Sequence, residues 1–313
     1  MLAISTAWNH KSNVGVETML TEIKALGLDA IELGYKLTAE ELEGVRNLLG
    51  KMAIKVLSIH NFCPLPNDGP CTRTDTSCSV QGGPSLRHPS NYYRLSAVDE
   101  KERRRAVEWT EKTVDTAERV GAKVVVIHGG TIEGKSDPTA ILKKYKMGQG
   151  DSKELDRSRE EISSERRRNQ APFWRALIQS LDDVIPYARQ RKVEIGLETR
   201  YYPNEIPDFE EIGVLLDRYP RGLGYWHDVG HAEVNCRLGL VKAHRDYFDR
   251  YGGRLLGMHI HGVKGLQDHL APFKGDFDLK TVMPYLKDGL IKVIESHGGA
   301  TAEEIKEAVR RLR

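Results

Sequence analysis

The amino-acid sequence predicts an α/β fold of the (β/α)8 barrel class, the TIM barrel. Eight short apolar runs typical of β-strands occur along the 313 residues, and a helix-like stretch follows nearly every one. Strands that alternate with helices indicate parallel pairing through right-handed crossovers, and eight such units fit a closed barrel better than an open sheet. No glycine-rich dinucleotide motif follows the first run, which weakens the alternative of an open, doubly wound sheet.

The first four strand–helix units have recognisable ends. Gly27 and Gly121 directly follow amphipathic stretches, and glycine is the usual residue just past the end of a helix. The strands predicted for these units are 2–8, 30–34, 55–62 and 123–128. The helices predicted after them are 16–26, 39–52, 99–120 and about 171–190.

The last four units continue the same alternation of apolar runs and amphipathic stretches. Their predicted strands are 194–200, 222–231, 255–263 and 289–297. Their predicted helices are 208–219, about 241–251, about 279–286 and 302–312. We therefore expect a single barrel domain over residues 1–313.

Two segments fall outside the repeat, at about 64–98 and 131–168. The first is rich in Pro, Gly, Ser and Thr, and the second carries a run of mixed charge. Both follow the C-terminal end of a predicted strand, on the face where barrels build their sites, so we expect loop insertions that cover or select a substrate. Decoration or an oligomer contact is the alternative. The cysteines Cys63, Cys71 and Cys78 match no zinc spacing, and we expect ordinary thiols.

Composition narrows the functional class. Forty-seven Lys plus Arg residues against forty-five Asp plus Glu give a net charge of +2, which argues against a protein that coats nucleic acid and against an acidic disordered chain. A nucleic-acid partner is therefore not expected. No run of about 18 apolar residues occurs, and the N-terminus lacks the pattern of a signal peptide, so we expect a cytoplasmic protein without a membrane segment.

Polar side chains end six consecutive predicted strands, from the third to the eighth. A barrel interior is normally filled by branched apolar residues, so carboxylates at these positions are costly unless they are paired or bound to a cation. The residues concerned are His60, Asn61, His128, Glu198, Asp228, His259, His261 and Glu295. Three carboxylates with imidazole favour Mn, Mg, Co or Zn over a soft thiolate site. We predict one divalent metal ion held by Glu198, Asp228, His259 and Glu295.

At these positions the sequence resembles the sugar phosphate isomerase/epimerase superfamily with the xylose isomerase-like barrel, which includes ketose epimerases and endonuclease IV-type repair enzymes. The resemblance covers essentially the whole chain. Its strongest motifs are Glu198 in IGLET, Asp228 and His231 in DVGH, His259 in HIHGVKG, Glu295 in VIESH, and His269 in DHLAPFKGDFD. In the last motif Phe273-Lys274 replaces the family's usual Gly-Glu.

The resemblance implies an isomerase or epimerase of a small sugar, sugar derivative or keto acid. In such an enzyme the metal stabilises an enediolate, while Glu198 and Glu295 transfer the proton. His231 and His269 would contact the substrate, as would His60 and His128. Arg200 and Trp226, near strand ends with Trp8 and Glu32, are further candidates to line the pocket, although core filling or pairing with an acid is an equal alternative. Association into homo-oligomers through the loops is left open.

The repair enzymes of the same superfamily suggest a multi-zinc phosphodiesterase as the alternative. Their additional zinc ligands match His60, His128, His231 and His269, so an additional zinc ion at His60 and His128 is an expectation of this alternative. The remaining additional ligand, an aspartate, falls on Gln267, with Asp268 one residue away. A dehydratase or lyase with the same residues, and a non-catalytic barrel that kept the metal ligands, are further alternatives.

Overall fold

The computed structural model describes residues 1–11, 14–68, 92–148 and 152–313. Eight parallel strands close into a barrel in which the first strand pairs with both its sequence neighbour and the last strand, which confirms the predicted (β/α)8 fold. In barrel order they are β1 Leu2–Ser5, β2 Ala30–Leu33, β3 Lys55–His60, β4 Val124–Ile127, β6 Glu194–Glu198, β8 Leu223–Asp228, β9 Leu255–Ile260 and β12 Ile291–Ile294.

Helices surround this barrel, and local capping sets many of their ends. They are α1 Val16–Ala25, α2 Ala39–Leu49, α3 Glu100–Val120, α4 Ala140–Lys146, α5 Lys153–Gln190, α6 Phe209–Arg218, α7 Val229–Arg237, α8 His244–Tyr251 and α9 Ala302–Leu312. Thr38 and Thr301 begin α2 and α9 as capping boxes with a glutamate three residues later. Gly121 ends α3 with φ 78°, a left-handed conformation that favours glycine.

Two short antiparallel sheets lie beyond the C-terminal ends of the barrel strands. In the first, β5 Gly130–Thr131 pairs with β7 Glu205–Ile206, which joins the segments that follow β4 and β6. In the second, β10 Gly262–Lys264 pairs with β11 Gln267–Leu270. This hairpin follows β9 directly, so it brings the motif histidine His269 back to the barrel mouth.

Three of the differences between the predicted and the observed elements have a clear physical reason. The strand predicted over 222–231 ends at Asp228, because the Asp228 side chain accepts the backbone N–H of His231 and so begins α7. The helix predicted over 279–286 is two 3-10 turns, Leu279–Thr281 and Met283–Tyr285, because Pro284 has no N–H to continue a helix.

The third difference concerns the mixed-charge run that was predicted as part of the second loop insertion. In the structure this run is helical from Lys153 onward. It forms the first turns of α5, which has 38 residues and is capped by Ser152, whose side chain accepts the backbone N–H of Leu155. Leu155 and Ile162 are buried, so the run presents an apolar face that holds it as a helix. The insertion over 131–168 is therefore a loop with α4 followed by a helical extension, and it is not a loop throughout.

The barrel interior has an apolar lower layer beneath the polar strand ends. This layer is a cluster separate from the helix-facing core: Ala3, Ala30, Leu57, Val124, Val126, Trp226, Ile291 and Val293. Trp226 fits there because Gly196 and Gly257 leave space, since a Cβ on Gly257 would lie 2.4 Å from the indole. The Trp226 indole therefore fills the floor below the mouth.

Within the described ranges, none of the helices combines the length and the apolar character that a membrane span requires.

Candidate metal centre

Four neighbouring strand ends bring Glu198, Asp228, His259 and Glu295 into one group whose candidate ligand atoms all lie within 4.8 Å of one another. The register places Asp228 of β8 opposite His259 of β9. His259 Nδ1 lies 2.8 Å from Glu198 Oε1, 3.1 Å from Glu295 Oε2 and 3.6 Å from Asp228 Oδ2. One imidazole nitrogen therefore points into the middle of three buried carboxylates, and all four predicted metal ligands meet.

Glu32 lies on the other side of the same imidazole. His259 Nε2 is 3.1 Å and 3.2 Å from the two Glu32 oxygens, and Ser58 donates its hydroxyl to Glu32 at 2.8 Å. Glu32 is fully buried. A carboxylate that accepts the Nε2 proton leaves the Nδ1 lone pair free toward the other carboxylates, which is the tautomer a metal ligand needs. Sequence reasoning placed Glu32 near the pocket but missed this contact, although its position at the end of β2 was a signal.

The electrostatics of the group fit a bound cation. Burial alone would raise the pKa of Glu198, but the neighbouring imidazoles of His128, His259 and His60 hold that pKa well below its ordinary value. Burial would likewise lower the pKa of His259, but Glu295 and Glu32 raise it well above its ordinary range. The carboxylates thus attract protons onto histidine, and a divalent cation would satisfy the same charge. Three carboxylates and one imidazole suit Mn, Mg, Co or Zn.

Asp228 is held from two further sides. His261 Nε2 lies 3.1 Å from both Asp228 oxygens, and the His231 backbone N–H donates to Asp228 at 2.7 Å. The backbone N–H of His269 donates to His261 Nδ1 at 2.9 Å, so the remaining proton of a neutral His261 sits on the nitrogen facing Asp228. His261, which sequence reasoning left without a role, therefore orients Asp228.

A second group contains His60, His128 and the other oxygen of Glu198. Glu198 Oε2 is 2.6 Å from His128 Nε2 and 3.6 Å from His60 Nε2. His60 Nδ1 lies 3.0 Å from the Asn61 carbonyl and would donate to it, which leaves the His60 Nε2 lone pair facing Glu198. Burial, followed by the charge of Arg200, holds the pKa of His128 well below its ordinary value.

A third group contains His231, Asp268 and His269. Asp268 Oδ2 lies 3.6 Å from His231 Nε2 and 3.7 Å from His269 Nε2. The family's aspartate position matches Gln267 in sequence, and in the structure the neighbouring Asp268 is the acidic residue that lies in this group. His269 has φ 54°, which interrupts the usual alternation of strand side chains, so Asp268 and His269 face the same group.

Two predicted substrate contacts are placed elsewhere than at an open mouth. Trp226 is fully buried in the floor, with its ring 5.2 Å from that of His259, so it supports the metal group from below. Arg200 is buried between two glutamates: it donates to Glu198 Oε2 at 3.0 Å and to Glu205 Oε1 at 2.7 Å. For Arg200, pairing with acids is the arrangement that the structure adopts.

The other candidates are resolved by simple contacts. Trp8 donates its indole N–H to the Ala300 carbonyl at 2.9 Å. Cys63 is a buried free thiol whose pKa burial raises to about 12, which makes it unreactive. Cys71 and Cys78 lie outside the described residues.

Known proteins match this chain over nearly its whole length. The sequence profile of a family described as "Xylose isomerase-like TIM barrel" matches residues 20–313. No curated protein matches the sequence. Among solved structures, the 3-keto-D-glucoside 4-epimerase of E. coli has a TM-score of 0.65 at 12% identity and covers 100% of this chain and 98% of its own.

Two further structures show the same likeness. The D-psicose 3-epimerase of Clostridium cellulolyticum has a TM-score of 0.65 at 12% identity and covers 100% of this chain and 98% of its own. A Thermus thermophilus protein soaked with ZnCl2 has a TM-score of 0.56 at 16% identity and covers 99% and 97% of the two chains. At these identities the likeness establishes the fold.

Proposed function

Because the chain belongs to the xylose isomerase-like TIM barrel family, we propose that it is a divalent-metal-dependent isomerase or epimerase of a small sugar, sugar derivative or keto acid. Family membership confirms the resemblance inferred from the strand-end motifs. The observation that carries the proposal is His259 Nδ1 placed among the carboxylates of Glu198, Asp228 and Glu295. The sugar epimerases among its structural neighbours support the choice of substrate class.

The four residues of the first group would hold the ion. A bound divalent ion supplies Lewis-acid polarisation of a substrate carbonyl and so acidifies the adjacent C–H. Asp228 already accepts hydrogen bonds from His261 and the His231 backbone, so we assign it the role of a ligand and not of a base. Glu198 and Glu295 then remain as the proton-transferring pair. One removes the proton from carbon and the other returns it, to the opposite face for epimerisation or to the neighbouring carbon for isomerisation.

The surrounding imidazoles would bind the substrate. His231 Nδ1 lies 2.9 Å from the Thr199 carbonyl, and His269 Nδ1 lies 2.9 Å from the Glu295 carbonyl. Each ring donates there and keeps its other nitrogen as an acceptor at the mouth. Together with His128 and His60, these rings can accept or donate hydrogen bonds to hydroxyl groups, which suits a polyhydroxylated substrate.

Solvent deuterium exchange tests the proposal. Protein stripped with a chelator and reloaded separately with Mn²⁺, Mg²⁺, Co²⁺ or Zn²⁺ is incubated in D2O with ketopentoses, ketohexoses and hydroxy keto acids. We expect NMR to show deuterium at the carbon next to the carbonyl of at least one substrate, only in metal-loaded samples. Absence of exchange on every member of this panel, with metal stoichiometrically bound, would contradict the proposal. Loss of water from the substrate would indicate the dehydratase alternative.

The second and third histidine groups favour one other candidate, a multi-zinc phosphodiesterase. It would bind two or three zinc ions per chain and hydrolyse bis(p-nitrophenyl) phosphate. The sequence has two runs of arginine, 103–105 and 166–168, and most of these side chains are already paired with acids. Arg103 pairs with Glu100 at 2.7 Å, Arg104 with Glu100 at 2.8 Å and Arg166 with Glu211 at 2.6 Å. This pairing agrees with a helix-face role and with a small-molecule substrate.

A further inference from the structure

The two oxygens of Glu198 face different groups. Oε1 lies 2.8 Å from His259 Nδ1 and belongs to the four-residue group. Oε2 lies 2.6 Å from His128 Nε2 and 3.0 Å from Arg200 Nη1. A second cation beside the first would need Oε2 together with His60 and His128, because a carboxylate bridges two ions through its two oxygens. That oxygen already receives a guanidinium N–H.

Arg200 is fixed in this position from three directions. Glu205 Oε1 accepts from Arg200 Nη2 at 2.7 Å and from Nε at 3.3 Å. Glu205 is itself held, because its Oε2 accepts the backbone N–H groups of Tyr201 at 3.0 Å and Tyr202 at 2.7 Å. Asn235 donates to the Arg200 carbonyl at 2.7 Å. A buried arginine held this way cannot swing aside without taking its guanidinium charge away from the buried Glu205 carboxylate.

We propose that Arg200 is a positioning residue that occupies the place of a second cation at Glu198 Oε2 and keeps the His60–His128–Glu198 group free of metal. This inference rests on the proposed function, since it presumes an ion at the four-residue group. Guanidinium is permanently charged, so it both uses the oxygen that a second ion needs and repels that ion. His60 and His128 are thereby left to substrate hydroxyl groups, and the centre is suited to proton transfer rather than to phosphodiester hydrolysis.

Metal counting tests the inference without reference to substrate. The double variant Arg200→Gln/Glu205→Gln removes both charges of the pair together, so no charge of that pair is left buried and unpaired. Zn²⁺ and Mn²⁺ are titrated into chelator-stripped protein, bound metal is counted by elemental analysis after gel filtration, and thermal melting checks the fold. We expect one ion per chain more than in the unsubstituted protein, with an exchange-coupled Mn²⁺ pair in the EPR spectrum of the variant alone.

Two further variants locate the additional ion. Adding His60→Ala to the double variant should remove it, whereas His60→Ala alone should leave the count of the unsubstituted chain unchanged. Arg166→Gln/Glu211→Gln is the matched control, because it neutralises another buried arginine–glutamate pair with an N–O distance of 2.6 Å, and it should add no ion.

The inference is overturned if the folded Arg200→Gln/Glu205→Gln variant gains no ion. It is also overturned if His60→Ala lowers the count of the otherwise unsubstituted protein by one, because the group would then already hold metal. If thermal melting shows that the single variant Arg200→Gln is folded, this variant must also bind one additional ion per chain. The two proposals can fail separately. If the double variant gains one ion but the unsubstituted protein exchanges deuterium into no substrate of the panel, this inference is supported and the proposed function is contradicted.

Discussion

Both faces of strand β8 carry buried polar side chains that contact histidines, but the electrostatic surroundings of the two faces are opposite. Asp228 points into the barrel, where it meets His259 and His261. Tyr225 and His227 point outward, into the layer between the barrel and the helices. Burial alone would raise the pKa of Asp228, but His231 and His261 hold it well below its ordinary value. On the outer face, burial and the neighbouring His244 hold the pKa of His227 well below its ordinary value.

The outer face carries a continuous hydrogen-bond chain. Glu233 lies 3.2 Å from His244 Nε2, His244 Nδ1 lies 3.2 Å from His227 Nε2, and His227 Nδ1 lies 2.6 Å from the Tyr225 hydroxyl. The Tyr225 oxygen lies 2.7 Å from the Thr199 hydroxyl. With one proton per imidazole, every donor in this chain finds an acceptor, and the chain ends on the Glu233 carboxylate.

The comparison shows how one strand provides both a binding centre and a support. Inside, three carboxylates surround one imidazole nitrogen, so the group has negative charge that a cation would satisfy. Outside, hydroxyl and imidazole groups satisfy one another, and the one carboxylate of the chain, Glu233, already pairs with Arg237 at 2.6 Å. Burial of histidine therefore does not by itself indicate a metal ligand; the number of carboxylates around it decides.

The largest expected effect is the loss of deuterium exchange when a carboxylate on the inner face is replaced. Glu198→Gln and Glu295→Gln should each reduce deuterium exchange by about 10²–10⁴-fold, the usual contribution of a general acid or base, because an amide cannot take up the proton. The barrel should stay folded by circular dichroism. Glu43→Gln, on the exposed face of α2, is the matched control and should exchange at the normal rate. A rate close to normal in either inner variant, measured with saturating metal, would mean that the acid/base assignment is wrong.

An intermediate effect is expected at the support of His259. Glu32→Gln should weaken metal binding by roughly 10–100-fold, because the amide can donate to His259 Nε2 and favour the wrong tautomer. Competition with a chromophoric chelator measures the dissociation constant. His227→Phe, on the outer face, should bind metal normally. Equal affinities in the Glu32 variant and the unsubstituted protein would show that Glu32 does not set the His259 tautomer.

The smallest expected effect is a loss of folding stability when the hydrogen-bond chain on the outer face is interrupted. His227→Phe removes a link of the hydrogen-bond chain and leaves Tyr225 and His244 each short of a partner, which should cost about 1–3 kcal/mol in the free energy of unfolding at pH 7. The cost should depend on pH. The folded pKa of His227 is below the unfolded value of 6.5, so below pH 6.5 the unfolded chain binds more protons and the unsubstituted protein loses stability.

The Phe variant lacks this loss, so its deficit should shrink by about 2 kcal/mol between pH 7 and pH 5. Denaturant unfolding at both pH values, on samples with equal metal content, measures the difference. A deficit that stays constant over this range would show that His227 does not remain neutral in the folded protein.

The sequence was sufficient for the barrel and for the four residues of the first group. Glu198 and Asp228 end apolar runs, and the period of two residues in a strand assigns each to a face. The parallel order then brings the C-terminal ends together, so residues far apart in the chain converge without any knowledge of contacts. Capping residues such as Thr38 and Thr301 likewise act within one turn and are readable locally.

Contacts across the barrel were decided only by the tertiary structure. Glu32 meets His259 from 227 positions away, and Trp226 enters the floor because two glycines on other strands leave room for it. Arg200 pairs with Glu205, and Asp268 lies beside His231 and His269 because His269 is left-handed. Local patterns determine where a strand ends and which face a residue occupies. The stagger of the strands and the free volume between them depend on the whole chain, and these set the partner that each polar group finds.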